Sequence, residues 1–288
     1  MPSPATNAAP LVSIIIRTYN EERRLAQCLE SIFNQSVNFN FEIIIIDSGS
    51  SDNTLKIAAR FKTKIITINK GSFTYGRSLN LGFNEAGGEF LVSLSAHAIP
   101  QHNWLNNLIA GFANPFFAGV YSQQIATDSD CPLITRMLTA HHQKICRSSK
   151  PQLYFSNAGS MIKKSVWKKF PFTENLAASE DYDWAIRVSR AGYKIGYQPQ
   201  AIINHWHKPH FKSIYQRNLR EFASLLAINR KRLMPNLLIL PGYNLIQDFI
   251  YIIANRLRPG WLLKSISANS ALMAAAIIAI IKQNVYKY

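Results

Sequence analysis

The sequence predicts an α/β protein with a mixed, mostly parallel sheet flanked by helices and a C-terminal helical extension. Two short runs of β-branched apolar residues, Val12–Ile16 and Ile43–Ile46, are typical of parallel strands that are buried on both faces. A helical segment separates the two runs, as in a strand–helix–strand unit. From Phe211 onward, apolar residues recur at helical spacing.

Polar residues follow both strands, and such strand exits are where ligands bind in an open α/β sheet. We expect Asn20 to cap the intervening helix, with Glu21 and Glu22 in its first turn. The second strand leads into a loop of small residues between Asp47 and Asp52. Carboxylates can accept hydrogen bonds from a ribose or a base, and small residues let a ligand approach. The unit therefore predicts a nucleotide-binding crevice.

Composition predicts one large core in a reducing compartment. With 288 residues and 48% hydrophobic content, the chain can bury a sizeable α/β core. The three cysteines lack CxxC spacing, so neither a disulfide framework nor a zinc site is indicated. The first dozen residues contain three prolines and no basic apolar start, which resembles a loose tail more than a signal peptide. We therefore expect a cytoplasmic protein.

Positive charge is concentrated in the C-terminal third. The formal net charge is +16, and residues 201–288 hold 12 Lys and Arg but only two acidic residues, a balance of +10. Such a segment favours a polyanionic partner, either an anionic membrane surface or nucleic acid. The basic residues alternate with helical apolar positions and no nucleic-acid-binding motif occurs, which favours the membrane. We expect peripheral association with the inner face of the cell membrane and no nucleic acid partner.

Two motifs at the strand exits carry a family resemblance. They consist of Thr18, Tyr19, Asn20 and Glu21 after the first strand, and of Asp47, Gly49, Ser50, Asp52 and Thr54 after the second. The chain resembles a family 2 glycosyltransferase of the GT-A fold, a group that moves a sugar from a nucleotide diphosphate donor with inversion. The resemblance implies that these motifs bind the donor. It covers about residues 11–210, so we predict a catalytic domain at 1–210 and a helical extension at 211–288.

Two further segments follow in the family's order. The segment Gly71–Ala86 resembles one near the donor diphosphate, which makes Arg77 a candidate phosphate contact, with a solvated helix-start arginine as the alternative. The segment Tyr154–Ile162 resembles the acceptor side. There, Asn157 and Gly159 would line the floor beneath the donor sugar, although Gly159 can also be only a turn.

An acidic pair, Glu180 and Asp181, opens the next predicted helix. The resemblance implies that Asp181 removes the proton from the acceptor hydroxyl, with Glu180 as the substitute if the register is shifted. The alternative is a helix N-terminus that is enriched in acids without catalysis. Nearby Trp184 can stack on a sugar ring or belong to the core.

The predicted strand Glu89–Ser95 ends where most enzymes of this class carry an Asp-x-Asp motif for a divalent cation. This chain has Ser95 and His97 at the two Asp positions. Imidazole suits Mn²⁺ better than Mg²⁺. We therefore expect His97 to bind Mn²⁺ together with His205 or His207, which would share one side of a later strand. The alternative is a structural histidine, and the missing carboxylate leaves metal dependence open.

Three helices are predicted in the extension: a basic amphipathic helix that Pro235 ends, a second at Leu237–Leu257 and a third at Ser265–Ile281. The apolar run Ala271–Ile281 is shorter than the roughly 20 residues that cross a bilayer. We therefore expect it to insert into the membrane interface or to pack against protein.

The resemblance implies an inverting hexosyl- or deoxyhexosyl-transferase. Its donor would be a UDP- or dTDP-sugar, and its acceptor a polysaccharide or lipid-linked saccharide at the cytoplasmic membrane face. The alternative is a catalytically inactive nucleotide-sugar-binding or membrane scaffold protein of the same fold.

Overall fold

The computed structural model describes residues 10–127, 132–148, 153–206 and 211–285. The chain forms two compact units. The sheet unit comprises residues 1–125, 142–175 and 180–206, and the helical unit comprises residues 126–141, 176–179 and 207–288. The helical unit thus includes two short stretches that precede residue 210, and a domain boundary at residue 210 stays a prediction.

Within the described residues, eight strands form one mixed sheet with the order β3-β2-β1-β4-β7-β6-β8-β5. The strands are β1 Val12–Thr18, β2 Phe41–Asp47, β3 Lys64–Thr67, β4 Phe90–Ser95, β5 Ala98–Pro100, β6 Phe117–Ile125, β7 Gly159–Lys163 and β8 Lys194–His205. The β3-β2-β1-β4 half is parallel, whereas β7 runs antiparallel to both β4 and β6. The parallel half places the ends of β1, β2 and β4 at one edge of the sheet.

The described part of the chain also contains nine α-helices. They are α1 Leu25–Phe33, α2 Thr54–Ala58, α3 Tyr75–Asn84, α4 Trp104–Ala110, α5 Pro132–Arg147, α6 Lys164–Lys169, α7 Glu180–Arg190, α8 Phe211–Ala254 and α9 Gly260–Val285. Two short 3-10 helices lie at Lys70–Ser72 and Gly111–Ala113.

Strand β1 is buried on both faces, because successive side chains of a strand point to opposite sides. Ile14 packs in the cluster that contains α1, whereas Ile15 packs in the cluster that contains α3 and Trp184. Gly82 of α3 lies directly against β1, where a Cβ would come within 2.7 Å of the Ile15 side chain. A glycine at this position therefore lets α3 approach the sheet closely.

In the helical unit, α8 continues through Pro235, so the prediction that this proline ends the helix is wrong. A proline removes one intrahelical hydrogen bond, and it can be accommodated when the flanking turns are held by packing. Leu226 and Leu237, on either side, are both buried in one cluster with the α9 residues Ala275 and Ala276. Packing against α9 thus outweighs the local preference of the sequence.

Two segments of these helices have the length and mean hydropathy of candidate membrane spans. They are Asn236–Ala254, with a mean hydropathy of 1.5, and Gly260–Lys282, with 1.6. In the most apolar 18-residue window of each segment, 22% of the residues in the first and 39% in the second are buried within the protein. Much apolar surface of α8 and α9 is therefore exposed.

Candidate active site

The ends of β1 and β2 lie side by side at one edge of the sheet. Thr18 and Asp47 are the last residues of these strands and are paired in register. The Thr18 hydroxyl donates a hydrogen bond of 3.0 Å to Asp47 Oδ1, and the Ser48 N–H donates one of 3.0 Å to the Thr18 carbonyl. These bonds join the two strand exits into one polar surface.

Asp47 is fully buried and holds the loop that follows β2. Its Oδ1 also accepts a hydrogen bond from the Ser50 hydroxyl (2.6 Å), and its Oδ2 accepts the N–H groups of Gly49 (3.0 Å) and Ser50 (2.8 Å). Gly49 has a φ of 82°, a conformation that favours glycine. A carboxylate offers about four acceptor positions, and these bonds together with that of Thr18 use them. Asp47 thus shapes the loop, and its direct contact with a donor stays a prediction.

Asn20 ties the loop after β1 to the loop after β2. Its φ is 55°, its N–H donates to Ser50 Oγ (2.9 Å), and its side-chain oxygen accepts the Ser51 N–H (2.9 Å). Helix α1 begins only at Leu25. The expectation that Asn20 caps this helix is therefore wrong, because its carboxamide bonds across the two loops instead.

Further hydrogen bonds preform the same pair of loops. The Glu21 N–H donates to the Thr54 hydroxyl (2.8 Å), and Asp52 accepts the N–H groups of Thr54 (2.9 Å) and Glu22 (3.2 Å). Partial burial acts to raise the pKa of Asp52, but hydrogen bonds from Thr54 and Glu22 hold the pKa below its ordinary value. Asp52 is therefore ionised at neutral pH, and its carboxylate links the loop after β1 to the loop after β2.

Replacing Asp47 with Ala should destabilise the protein and weaken nucleotide binding together. Four donors would lose their acceptor, and a buried unsatisfied donor costs about 1–3 kcal/mol. Thermal unfolding and calorimetric titration with nucleotide would measure both effects. The matched control is Glu85→Ala, which removes an exposed ion pair with Lys64 and should change stability by less than about 1 kcal/mol. Equal behaviour of the two variants would contradict the role given to Asp47.

Tyr19 and Arg77 are exposed groups among the predicted donor contacts. Tyr19 is 41% exposed, and its hydroxyl accepts a hydrogen bond from the Lys70 ammonium group. Arg77 lies in the first turn of α3, its side chain is 57% exposed, and its Nε lies 3.8 Å from a Glu174 carboxylate oxygen. An exposed ion pair of this kind contributes little stability. Arg77 can therefore exchange Glu174 for another anion at small cost.

A second polar cluster surrounds the start of α7. Glu180 is 4% exposed, and its Oε1 accepts hydrogen bonds from Arg17 Nη1 (3.2 Å) and Asn157 Nδ2 (3.1 Å). Arg17 also donates to the Tyr75 carbonyl over 3.0 Å. The Asn157 N–H donates to Asp181 Oδ2 over 3.3 Å. Strand β1, the segment before β7 and helix α7 thus bring a cation, an amide and two carboxyl groups together.

Asp181 is half-buried beside Glu180. Burial raises the pKa of Asp181 to about 7, and the negative charge of Glu180 acts in the same direction. Hydrogen bonds from the N–H groups of Asn157 and Tyr182 and the charge of Arg17 lower the pKa only in part. A carboxyl group with a pKa near neutrality is suited to accept a proton at physiological pH.

Two other residues singled out in the sequence belong to the packing of the sheet unit. Trp184 is fully buried and its Nε1 donates to the Phe170 carbonyl over 2.9 Å, so it is a core residue. Gly159 begins β7, where a Cβ would come within 2.7 Å of Ile203. A glycine here permits close packing, and its place beneath the donor sugar stays a prediction.

His97 and His205 are neighbours, but they do not converge on one ion. Their rings are stacked, with centroids 5.1 Å apart and planes within 5° of parallel. An imidazole binds a metal in its own ring plane, and two stacked parallel planes share no point. The Nδ1 atom of His97 lies 3.1 Å from Glu21 Oε1, and that of His205 lies 2.7 Å from Gln124 Oε1. This arrangement does not fit the expected sharing of one ion by the two rings.

His207 lies outside the described residues. Within those ranges, no group of three or more His, Cys, Asp or Glu side chains is placed to hold a metal ion. His97 taken alone does have a feature of a metal ligand, because its Nδ1 bonds to the Glu21 carboxylate. Metal-bound histidines commonly bond to a carboxylate in this way, which leaves Nε2 for the ion.

Arg17 contacts the candidate base region, although no motif in the sequence predicted a role for it. The available signal was a charged residue inside the apolar strand β1, one position before the strand exit. An arginine in a strand that is buried on both faces needs an anionic partner. That partner, Glu180, is 163 residues away in the chain.

The sheet topology, the joined strand exits and the acidic start of α7 are features of a GT-A-type glycosyltransferase. Among solved structures, the mannosyltransferase PcManGT from Pyrobaculum calidifontis, in complex with GDP-Man and Mn²⁺, is similar with a TM-score of 0.59 and 17% identity, over 98% of this chain and 77% of that chain. TarS 1–349 of S. aureus, in complex with UDP, has a TM-score of 0.54 and 15% identity, over 95% and 91%. These likenesses confirm the predicted fold class. They also include a structure that holds a divalent cation.

Comparison with protein families identifies the class directly. The model for glycosyl transferase family 2 matches residues 13–170, and that for glycosyl transferase family group 2 matches residues 101–285. The chain belongs to glycosyl transferase family 2, and it is a glycosyltransferase, as the motifs predicted.

Two curated relatives indicate the range of this family. The chain is 26% identical to the O-antigen chain rhamnosyltransferase RfbN of Salmonella typhimurium, over 72% of this chain and 69% of the relative. It is 26% identical to the dolichyl N-acetyl-alpha-D-glucosaminyl phosphate 3-beta-D-2,3-diacetamido-2,3-dideoxy-beta-D-glucuronosyltransferase of Methanococcus voltae, over 76% of this chain and 74% of the relative.

Proposed function

We propose that this glycosyltransferase moves a hexosyl or deoxyhexosyl group, with inversion, from a UDP- or dTDP-sugar to a hydroxyl of a polysaccharide or lipid-linked saccharide. Asp181 is the general base. The observation that carries the proposal is the setting of Asp181, a half-buried carboxyl group with a pKa raised to about 7 in contact with Asn157. The names of the two relatives support the class of acceptor.

In the proposed reaction, the acceptor oxygen attacks the anomeric carbon from the face opposite the diphosphate. Asp181 accepts the hydroxyl proton as the new carbon–oxygen bond forms. The bond from the anomeric carbon to the diphosphate oxygen breaks, and the diphosphate leaves with the electron pair. Glu180 is less suited to be the base, because its carboxylate is nearly fully buried and already accepts hydrogen bonds from Arg17 and Asn157.

The donor nucleotide is proposed to lie on the joined loops after β1 and β2. Tyr19 presents an exposed ring that can stack on a base. Arg77 is the proposed diphosphate contact, since a guanidinium can bind phosphate oxygens bidentately. Asn157 and Gly159 would form the floor beneath the sugar. The residues Thr18, Asn20, Glu21, Asp47, Gly49, Ser50 and Asp52 complete the proposed donor site.

We propose Mn²⁺ as the divalent cation, and His97 is the side chain that would hold it. The contact of His97 Nδ1 with Glu21 suits this role, whereas the stacked His205 cannot bind the same ion in this arrangement. A bound cation would neutralise charge on the leaving diphosphate.

Replacing His97 with Ala should remove most of any gain in UDP affinity that Mn²⁺ provides. The loss of one ligand or of its supporting contact typically lowers metal affinity about 10- to 100-fold. Calorimetric titration of UDP with and without Mn²⁺ measures this gain. The control His102→Ala alters an exposed histidine and should keep the gain. If the wild-type affinity is the same with and without Mn²⁺, the proposed ion is overturned.

The chain is proposed to work at the cytoplasmic face of the cell membrane, where a lipid-linked acceptor would lie. The excess of positive charge in residues 201–288 and the exposed apolar surface of α8 and α9 support this location.

The transfer itself can be tested with purified protein, a panel of UDP- and dTDP-sugars and a lipid-linked saccharide acceptor. We expect one donor to give a product whose new glycosidic bond has the anomeric configuration opposite to that of the donor. Nuclear magnetic resonance of the product would show the configuration. A product with retained configuration would overturn the single-base mechanism.

A further inference from the structure

Helix α8 carries a continuous apolar stripe on its exposed face. We call it the α8 stripe; it consists of Ile239, Tyr243, Ile246, Phe249, Ile250 and Ile253. These side chains are between 48% and 66% exposed. Their spacing of three and four residues places them on one side of the helix, over a length of about 21 Å. Large contiguous apolar patches on a protein surface mark sites of interaction.

The charges around the α8 stripe have one sign. Arg256, Arg258 and Lys264 follow the stripe in the chain and are all exposed, and Lys282 near the C-terminal end of α9 is exposed as well. Asp248 is the single acidic residue between Asn236 and Val285. It is only 4% exposed, so it does not belong to the surface. The surface that carries the stripe is therefore apolar and cationic.

Asp248 is fixed on the opposite side of α8 by a polar network inside the helical unit. Its carboxylate accepts hydrogen bonds from Arg136 Nε of α5 (2.6 Å), the Ser265 hydroxyl of α9 (2.6 Å) and Asn269 Nδ2 of α9 (3.3 Å). A buried carboxylate that loses its partner is strongly destabilising, so this network fixes which face of α8 is turned inward.

The same network argues against a spanning role for the apolar segment Asn236–Ala254. Asp248 lies 12 residues after Asn236, which is about 18 Å along a helix. If the segment crossed a bilayer, the paired charges of Asp248 and Arg136 would lie deep in hydrocarbon, where ionised groups are costly. A helix that lies along the interface keeps the network within the protein and buries only the stripe.

We propose that the α8 stripe docks on an anionic lipid bilayer, lying in the plane of the interface with the flanking Arg and Lys residues at the lipid headgroups. This deepens the proposed membrane location by naming the surface and its orientation, and it does not depend on the identity of the catalytic base. The absence of exposed acidic residues along this surface, within the described part of the chain, matches an anionic partner.

The test measures binding of the full-length protein to phosphatidylcholine vesicles with and without phosphatidylglycerol, in the absence of donor and acceptor. We expect binding to the anionic vesicles. We also expect Ile246→Asp or Ile250→Asp to weaken it by about tenfold or more, because a carboxylate must then enter the interface. The control Phe116→Asp changes a side chain of similar exposure in the sheet unit and should bind like the wild type.

Three results would overturn the proposal. The first is unchanged vesicle binding by folded Ile246→Asp and Ile250→Asp variants. The second is a dimer in solution that these variants convert to a monomer, since the stripe would then be covered by a second copy. The third is resistance of the membrane-bound wild type to alkaline carbonate extraction, which would indicate a spanning helix. Asp181→Asn should bind vesicles like the wild type, because vesicle binding does not depend on the catalytic base. Failure of the catalytic proposal would therefore appear in the transfer assay and not in vesicle binding.

Discussion

Replacing Asp181 with Asn is expected to lower the rate of sugar transfer by about 10²- to 10⁴-fold and to leave nucleotide affinity nearly unchanged. The amide has nearly the shape of the carboxylate, but it cannot accept the proton of the acceptor hydroxyl at neutral pH. Single-turnover transfer and calorimetric titration with UDP or dTDP would measure the two quantities separately.

The matched control is Asp183→Asn on the same helix. Asp183 accepts hydrogen bonds from Arg187 and Thr173 and has no proposed catalytic part, so we expect a much smaller loss of rate.

Folding of Asp181→Asn is checked by thermal unfolding above pH 7. Folding raises the pKa of Asp181 from 3.8 to about 7, so its ionisation makes the folded state less stable as pH rises through that range. The variant should therefore unfold at the same or a higher temperature. Transfer at the wild-type rate would remove Asp181 as the base.

The second large effect is expected from Arg17→Met. Arg17 is the cation bonded to Glu180, and breaking a buried ion pair from one side costs about 3 kcal/mol or more. The loss of positive charge should also raise the pKa of Asp181 further, because the charge of Arg17 lowers this pKa. Since the base acts in its ionised form, kcat/KM should rise with pH through about 7 in the wild type and through a higher pH in Arg17→Met.

Glu180→Gln provides a test with the opposite sign. Its amide oxygen can still accept a hydrogen bond from Arg17 or Asn157, but the negative charge that raises the pKa of Asp181 is gone. The rise of kcat/KM with pH should therefore occur at lower pH in this variant. A general structural disturbance would lower the rate in Arg17→Met and in Glu180→Gln without shifting this rise in opposite directions. If the rise occurs at the wild-type pH in both variants, Arg17 and Glu180 do not tune the pKa of the base.

Much of the donor half of the fold follows from local sequence. The runs of isoleucine in β1 and β2 predict parallel strands buried on both faces, and the structure confirms them. The polar strand exits near Thr18 and Asp47 follow from the points where the two apolar runs end in the sequence. The family resemblance also located the acidic start of α7.

Features that depend on contacts between residues far apart in the chain could not be predicted from local sequence patterns. The bond between Arg17 and Glu180 requires β1 and α7 to meet, and the stacking of His97 on His205 requires β5 to pair with β8. Asn20 was expected to cap a helix because its type suits that position, but the neighbouring loop supplied better partners for its carboxamide. Pro235 failed to end α8 because packing against α9 was not visible in the local pattern.

The central claim is that the joined loops after β1 and β2 form a nucleotide-sugar site that delivers the donor to Asp181. Calorimetric titration of wild type, Asp47→Ala and Asp181→Asn with UDP and dTDP, with and without Mn²⁺, tests it most directly. We expect saturable binding of one nucleotide that is weakened by Asp47→Ala and retained by Asp181→Asn. Binding of neither nucleotide to the wild type, or equal binding by all three proteins, would contradict this account.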